Sequence, residues 1–383
     1  SHVDLRGSSA AQGPADTDLV LRIGEGGQTV KLLNWYAVSA DKRIDRFAFA
    51  DGKSLSWQEL LAQKAVSATS GTLVGNRELK GERLVVGAGA TQVTLQAMGG
   101  DTVLDASQAA GQATLRGAEG QDLLIGSLAP NATVSMAGGM GSDEYLIRPG
   151  GGETVIALDG DTESADTLRF GEGITLEDLR LEKRDRKTGK RSVSSDLVLR
   201  IGEGGQRVTL LNWYAVSADK RIDRFAFADG TTLSWQELLA QKAVSAANGG
   251  YLQGNEGLGD ILSGGSKSTV LTGGSGADVF LFRDALDETN NVDRITDFKP
   301  GEDKLHLSGS VFTALSEAGP LADSLFVANA TGSALDDRDC ILYHTTAGAL
   351  RHGLDAANAG AAIQLSGADE REKPRVSELF AVC

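Results

Sequence analysis

The 383-residue chain carries 37 basic and 52 acidic side chains, a net charge of −15. That balance argues against nucleic acid and anionic membranes as partners and fits a protein that gathers divalent cations. Forty-nine glycines beside six prolines, without a G-X-Y period, argue against collagen and proline-rich disorder and for glycine turns between short strands. Two cysteines, Cys340 and Cys383, give no disulfide framework, so a fold of this size rests on its core or on ions; whether they pair is left open. No apolar run approaches the length of a membrane span. The chain opens Ser1-His2-Val3 without Met and reads as a piece of something longer, so a missing leader says nothing about export.

In chain order, residues 1–70 form the first of two β-rich modules. Residues 18–68 return as 196–246 with four differences over 51 positions: Thr29/Arg207, Lys31/Thr209, Lys53/Thr231 and Ser54/Thr232. Each copy reads as strand, turn, strand, strand, turn, helix. In the second copy, 196–201 alternates, Gly202-Glu203-Gly204-Gly205 is a hairpin turn, 208–214 is the returning strand, and 224–228 alternates up to Asp229-Gly230. Ser234 then caps a short helix with Glu237 three residues on, a capping box. All four tryptophans (Trp35, Trp57, Trp213, Trp235) lie in these modules and read as core.

Residues 71–172 read as a degenerate roll. Apolar triplets at 84–86, 93–95, 102–104, 113–115, 123–125, 133–135 and 144–146 recur at solenoid spacing, one strand per half-turn. Most loops between them have lost the calcium Asp of such rolls; Gly117-Ala118-Glu119-Gly120-Gln121-Asp122 keeps it. Residues 138–146 then fit G-G-x-G-x-D-x-U-x at every fixed position, U being a large apolar residue, through Gly138, Gly139, Gly141, Asp143 and Tyr145. Residues 273–281 fit it again through Gly273, Gly274, Gly276, Asp278 and Phe280. This is the calcium-binding nonapeptide of parallel β-rolls. Calcium is a hard cation that takes about six to eight oxygens. Glycines reach φ > 0 and aim backbone carbonyls at the ion, and the Asp adds a carboxylate. The triplet that follows is a strand whose large middle side chain turns inward.

Residues 173–247 are the second module, and the cluster Lys183, Arg184, Arg186, Lys187, Lys190 and Arg191 at its front reads as a solvated hairpin tip. Residues 248–309 are a calcium-binding roll in which Asn255, Gly264 and Gly273 start successive units. Loops alternate sides, which places Asp260 with Asp278, while Thr269 stands where the opposite side expects an acid. Asp293, Asp297 and Asp303 are further candidate ligands. Residues 310–383 form a C-terminal cap.

These residues resemble the carboxy-terminal region of RTX proteins, the glycine-rich, calcium-binding substrates of bacterial type I secretion. The Asp-Leu-Val-Leu … Asn-Trp-Tyr … Phe-Ala-Asp-Gly module is similar to the domain called haemolysin-type calcium-binding protein related. Residues 291–298 and 300–308 look like the terminal RTX segment of serralysin-type proteins, and 325–383 resemble the tail that follows it. The Asp-rich loop of that tail is reduced here to Gly353-Leu354-Asp355-Ala356-Ala357-Asn358. The resemblance implies a secretion signal at the extreme C-terminus, where Glu378-Leu379-Phe380-Ala381-Val382-Cys383 has an acid before apolar residues. A terminal strand finishing the fold is the other reading of that segment.

The expectation is a mainly all-β chain, parallel β-roll or β-solenoid segments alternating with small β-rich modules that each carry a short helix. Its cofactor is Ca²⁺, and its candidate ligands are Gly138, Gly139, Gly141, Asp143, Gly273, Gly274, Gly276 and Asp278, then Asp122 and Asp260, then Asp293, Asp297 and Asp303. The four histidines, His2, His306, His344 and His352, make no H-E-x-x-H, and no G-x-S-x-G or P-loop occurs, so no catalytic site is expected here. A metal site of Cys340, His344 and His352 is weighed and set below ordinary structural roles. The partners are calcium ions and, through the tail, the type I apparatus. A surface or polysaccharide ligand is left unassigned. The place of action is outside the cell or at its surface. The parent protein is read as adhesin-like or structural, with the secretion region of an enzyme or pore-forming toxin as alternatives.

Overall fold

Short apolar triplets separated by glycine turns cannot each bury a face alone, so they stack, strand upon strand. The computed structural model describes residues 3–7, 18–24, 28–35, 38–63, 65–158, 164–187, 193–246, 248–284, 290–315, 318–335, 339–352, 360–365 and 374–382. They fall into two compact units, one of residues 1–179 with 186–235 and one of 180–185 with 236–383.

In the first unit the triplets alternate between two sheets. Arg83–Val86, Val103–Asp105, Leu123–Ile125, Glu144–Ile147 and Thr167–Phe170 run parallel in one sheet. Gly71–Val74, Gln92–Gln96, Gln112–Arg116, Thr133–Ala137 and Glu153–Ile156 run parallel in the other. This is the half-turn alternation read from the spacing. Leu84, Leu104, Leu124, Tyr145 and Leu168 stack in register and are almost fully buried. They face Val93, Leu95, Leu115, Val134, Met136 and Ile156, also buried, from the other sheet.

The modules add strands to these sheets. In the first copy, Val3–Gly7 pairs antiparallel with Leu19–Ile23 and parallel with Val66–Ala68, the strand before the roll. In the second, Val193–Ile201 pairs antiparallel with Gln206–Leu210, and Gln206–Leu210 pairs parallel with Glu153–Ile156. The returning strand is shorter than the expected 208–214. Asn212 takes φ 58°, a left-handed turn, and its N–H is held by buried Asp196 at 2.9 Å. Asn34 (φ 55°) and Asp18 repeat the arrangement at 2.6 Å. The capping box is seen in the first copy. Ser56 N–H donates to Glu59 Oε2 (2.7 Å) and Glu59 N–H to Ser56 Oγ (3.1 Å), at the start of helix Trp57–Gln63. The tryptophans are core, as expected. Trp213 and Trp235 meet edge to face at 6.2 Å with the Arg221 guanidinium over both rings, and Trp35, Trp57 and Arg43 do the same.

In the second unit, Val244–Ala246, Ile261–Ser263, Val279–Phe282, Lys304–Ser308 and Leu379–Val382 form one parallel stack. Gly250–Gln253, Thr269–Thr272, Asp293–Ile295 and Gly360–Leu365 form the other. Leu262, Leu271, Phe280, Ile295, Leu305 and Leu307 fill the space between. Ala349–His352 pairs antiparallel with both Gly360–Leu365 and Ile341–His344 and closes the second stack. The terminal segment is thus a strand of the stack. Of the basic cluster, Lys183 donates to the Tyr251 carbonyl (2.6 Å), and in the first unit Arg186 pairs with Asp196 (3.2 Å). Lys190, Arg191, the loop at 353–358 and Cys383 lie outside the described residues.

Candidate metal centre

The glycine loops lie one upon the next. Gly139 and Gly141 adopt φ of 100° and 114°, and a Cβ on either would overlap a carbonyl oxygen of the loop below, Ala118 or Gly120. Gly274 and Gly276 take φ of 99° and 121°, with Gly276 pressed on the Leu258 carbonyl. Only glycine fits such a turn at such an approach. Met140 N–H donates to the Ala118 carbonyl (2.8 Å) and Gly120 N–H to the Met140 carbonyl (2.9 Å), which fixes the stacking.

Before most strands of one edge sits an acid, buried or half-buried, while Thr102 takes that place before Val103–Asp105. In the first unit these acids form a ladder. Asp122 Oδ1 accepts the N–H of Thr102 (2.6 Å), Asp143 Oδ1 that of Asp122 (2.8 Å), Asp166 Oδ1 that of Asp143 (2.9 Å), and Asp223 Oδ2 that of Asp166 (2.9 Å). The second oxygen of Asp122 accepts the Ala118 N–H of its own loop (2.8 Å). Burial pushes the Asp122 carboxyl up, against the pull of these bonds, and nearby Asp101 adds to the rise. At the first turn a buried Glu82 takes this place and accepts the Asn76 N–H (2.6 Å); burial raises its carboxyl too.

The second unit repeats the ladder. Asp278 Oδ1 accepts the Asp260 N–H (2.9 Å), and Asp303 Oδ1 the Asp278 N–H (3.0 Å). Asp260 and Asp303 each turn their other oxygen to their own loop, at Asn255 N–H (2.6 Å) and Lys299 N–H (2.7 Å). Asp278 does not, because the Gly273 and Gly274 N–H groups donate instead to Asp297 (2.9 and 2.8 Å). Its Oδ2 is buried with no hydrogen-bond partner. Burial first, then the charges of Asp303, Asp260 and Asp297, push its carboxyl up to about 6. Burial, with Asp297 and Glu302, also raises Asp303.

Asp260, Asp278 and Asp303 therefore share one edge, and Asp297 joins the Asp278 loop. Asp293 belongs to the other edge, where its Oδ1 accepts the Thr269 N–H (2.9 Å), and burial with Asp284 nearby pushes it up to about 7. Thr269 stands in the acid's place on that edge, its hydroxyl donating to the Gly264 carbonyl (2.9 Å). Sequence reading passed over Asp166 and Asp223, which lack glycine loops; their signal is an Asp directly before a strand. Among the described residues no group of three or more His, Cys, Asp or Glu side chains is placed to hold a metal ion, so an ion here would draw on backbone carbonyls as well. The Asp278 loop fits a hard cation on its own chemistry. It has an orphaned carboxylate oxygen, three acids around it, and glycines that leave room for a carbonyl shell. Of the histidines, His306 lies against Phe380 (5.5 Å), and His344 Nδ1 accepts the Ala347 N–H (3.0 Å).

Two segments, 18–59 and 196–237, match the family described as haemolysin-type calcium binding protein related domain. No curated protein matches the chain significantly. Among the described residues no helix is long and apolar enough to cross a membrane. Two segments of the chain thus match the haemolysin-type calcium binding protein related domain, and they are set in a β-solenoid consistent with RTX repeat proteins.

Proposed function

We propose that this chain is the calcium-dependent folding region of a protein exported by a type I apparatus and active outside the cell. The observation that carries this reading is the Asp278 loop, a carboxylate raised by burial and then by its acidic neighbours and left with an unpartnered oxygen. Asp143 and Asp278 with Gly138, Gly139, Gly141, Gly273, Gly274 and Gly276 would hold calcium. Asp122, Asp260, Asp293, Asp297 and Asp303 would contribute charge at or beside the loops. Calcium, when bound, supplies positive charge among these acids. The chain's own part is to bring the acids one turn apart and bury them, at a cost in repulsion and desolvation that an ion offsets. Where calcium is scarce the loops stay open and the chain exportable; where it is plentiful, binding free energy becomes folding free energy. Extracellular calcium modules work near about 10⁻⁴–10⁻³ M, which suits that trigger.

The region is non-catalytic in this reading. The near-identical modules favour an adhesin-like or structural parent over an enzyme or toxin. Calcium titration followed by far-UV circular dichroism and calorimetry tests the proposal. A cooperative gain of β signal with heat of binding supports it. A chain equally folded in chelator and in millimolar calcium, with no binding heat, refutes it.

A further inference from the structure

Two copies of almost one sequence occupy different surroundings. In the second copy, Gln206–Leu210 pairs with Glu153–Ile156 of the roll's last turn, and Arg224–Ala226 pairs with Thr167–Phe170. The seat is apolar and closed: Val208 and Ile222 are 0% exposed and Ile201 7%. Polar groups pin it. Gln206 Nε2 donates to the Arg148 carbonyl (2.6 Å) and its Oε1 accepts the Gly150 N–H (3.1 Å). Asp223 accepts the Asp166 N–H (2.9 Å). Arg207 pairs with Glu153 at 2.6 Å, and Thr209 Oγ1 lies 3.3 Å from the other oxygen of Glu153.

In the first copy the same side chains are open. Val30 is 45% exposed, Ile44 46% and Ile23 40%. Gln28–Leu32 is the last strand of its sheet, and Arg46–Ala48 with Ser54–Ser56 makes a sheet of its own, so among the described residues no strand covers either. Contiguous exposed apolar residues rimmed by polar ones mark an interaction surface. The polar pins are in place as well, Gln28 for Gln206 and Asp45 for Asp223. Two of the four differences fall on this seat. Thr29 replaces Arg207 and Lys31 replaces Thr209, which moves the one cation two residues along the same strand face. In the second copy Arg207 reaches across to Glu153 (2.6 Å), whereas in the first Lys31 pairs with Asp18 of its own module (2.7 Å).

We infer that the first copy is the seat for the end turn of another parallel β-roll, joined ahead of it as residues 71–172 are joined ahead of the second copy. That turn pairs its two strand edges with Gln28–Leu32 and Arg46–Ala48 and donates a backbone N–H to Asp45.

Two experiments on the whole chain test this by hydrogen exchange. In the first, Arg207→Thr, Thr209→Lys, Thr231→Lys and Thr232→Ser together put the first copy's sequence on a roll turn already present. Protection at 206–210 and 224–226 should stay within about threefold of the parent. A loss of about tenfold or more at both strands overturns the inference. In the second, a duplicate of residues 65–178 is joined ahead of Val3. Amides of 28–32 should then gain about tenfold protection, and Val30→Asp, harmless in the parent chain, should become as damaging as Val208→Asp. Unchanged exchange at 28–32 beside a folded added roll overturns it. So does protection at 28–32 that rises with concentration in the parent chain, which would make a second copy the occupant. If the added roll fails to fold, the first experiment decides.

Discussion

At the scale of single residues, the acids of the ladders do two jobs that oppose each other. Each accepts backbone N–H groups, which favours the carboxylate, and each is buried near like charges, which disfavours it. At Asp278 and Asp293 the second effect wins, with carboxyls near about 6 and about 7. A carboxyl raised on folding gives its full stability below its unfolded value and loses it as pH rises through the folded one. In chelator, therefore, the 248–309 roll should weaken between about pH 4 and 7, with a falling denaturant midpoint, and Asp278→Asn should flatten that slope. A midpoint indifferent to pH in that window would contradict the assignment. For calcium, Asp278→Ala should weaken binding by on the order of tenfold more than Asp122→Ala, about 1.4 kcal/mol by calorimetry. The reason is geometric: both oxygens of Asp122 already hold N–H groups, and Asp278 Oδ2 holds none. Gly141→Ala should cost about 1–3 kcal/mol in thermal unfolding, since a side chain there meets both a left-handed φ and the Gly120 carbonyl.

At the scale of elements, each module is organised by one buried acid. Asp196 holds the left-handed Asn212 and pairs with Arg186, so the strand stops and Trp213 swings into the core beside Trp235. Asp196→Ala should destabilise the first unit by about 1–3 kcal/mol, read from denaturant unfolding with tryptophan fluorescence. Much of this scale was legible in the sequence. The triplets gave one strand per half-turn because apolar side chains must repeat where strands stack, and Ser234 and Glu237 announced a helix start whose equivalent the structure shows at Ser56 and Glu59. What stayed hidden was non-local. Nothing near Arg207 says that it will lie against Glu153, some fifty residues earlier, and nothing near Asp166 says that its carboxylate serves Asp143. Pattern reports which face of a strand is apolar; it does not report which edge will meet it. For the same reason the terminal segment read as a signal or as a strand, two readings that can both hold, and its pairing with Lys304–Ser308 supplies the strand.

At the scale of the whole molecule, ion dependence should divide the chain. The modules have tryptophan cores, whereas the 248–309 roll has strands of three to five residues under charged loops. Hydrogen exchange in chelator should lose protection first in 250–282 and last around Trp213; the reverse order would place the switch in the modules. Removing 378–383 should block type I export, and it should also loosen the second unit. Glu378 accepts the Gly301 N–H (2.7 Å), and its strand completes the stack. Normal export of that truncated chain would exclude the signal. The ladders also have a direction. At every rung the acid comes from the later turn and the N–H from the earlier one: Asp122 serves Thr102, Asp143 serves Asp122, Asp278 serves Asp260, Asp303 serves Asp278 and Glu378 serves Gly301. A turn that has just formed waits for its successor to supply the acceptor of one of its N–H groups and to bury it, so each turn favours the addition of the next. Each stack is latched from its C-terminal end, like a zip whose slider engages only once the last tooth is in place.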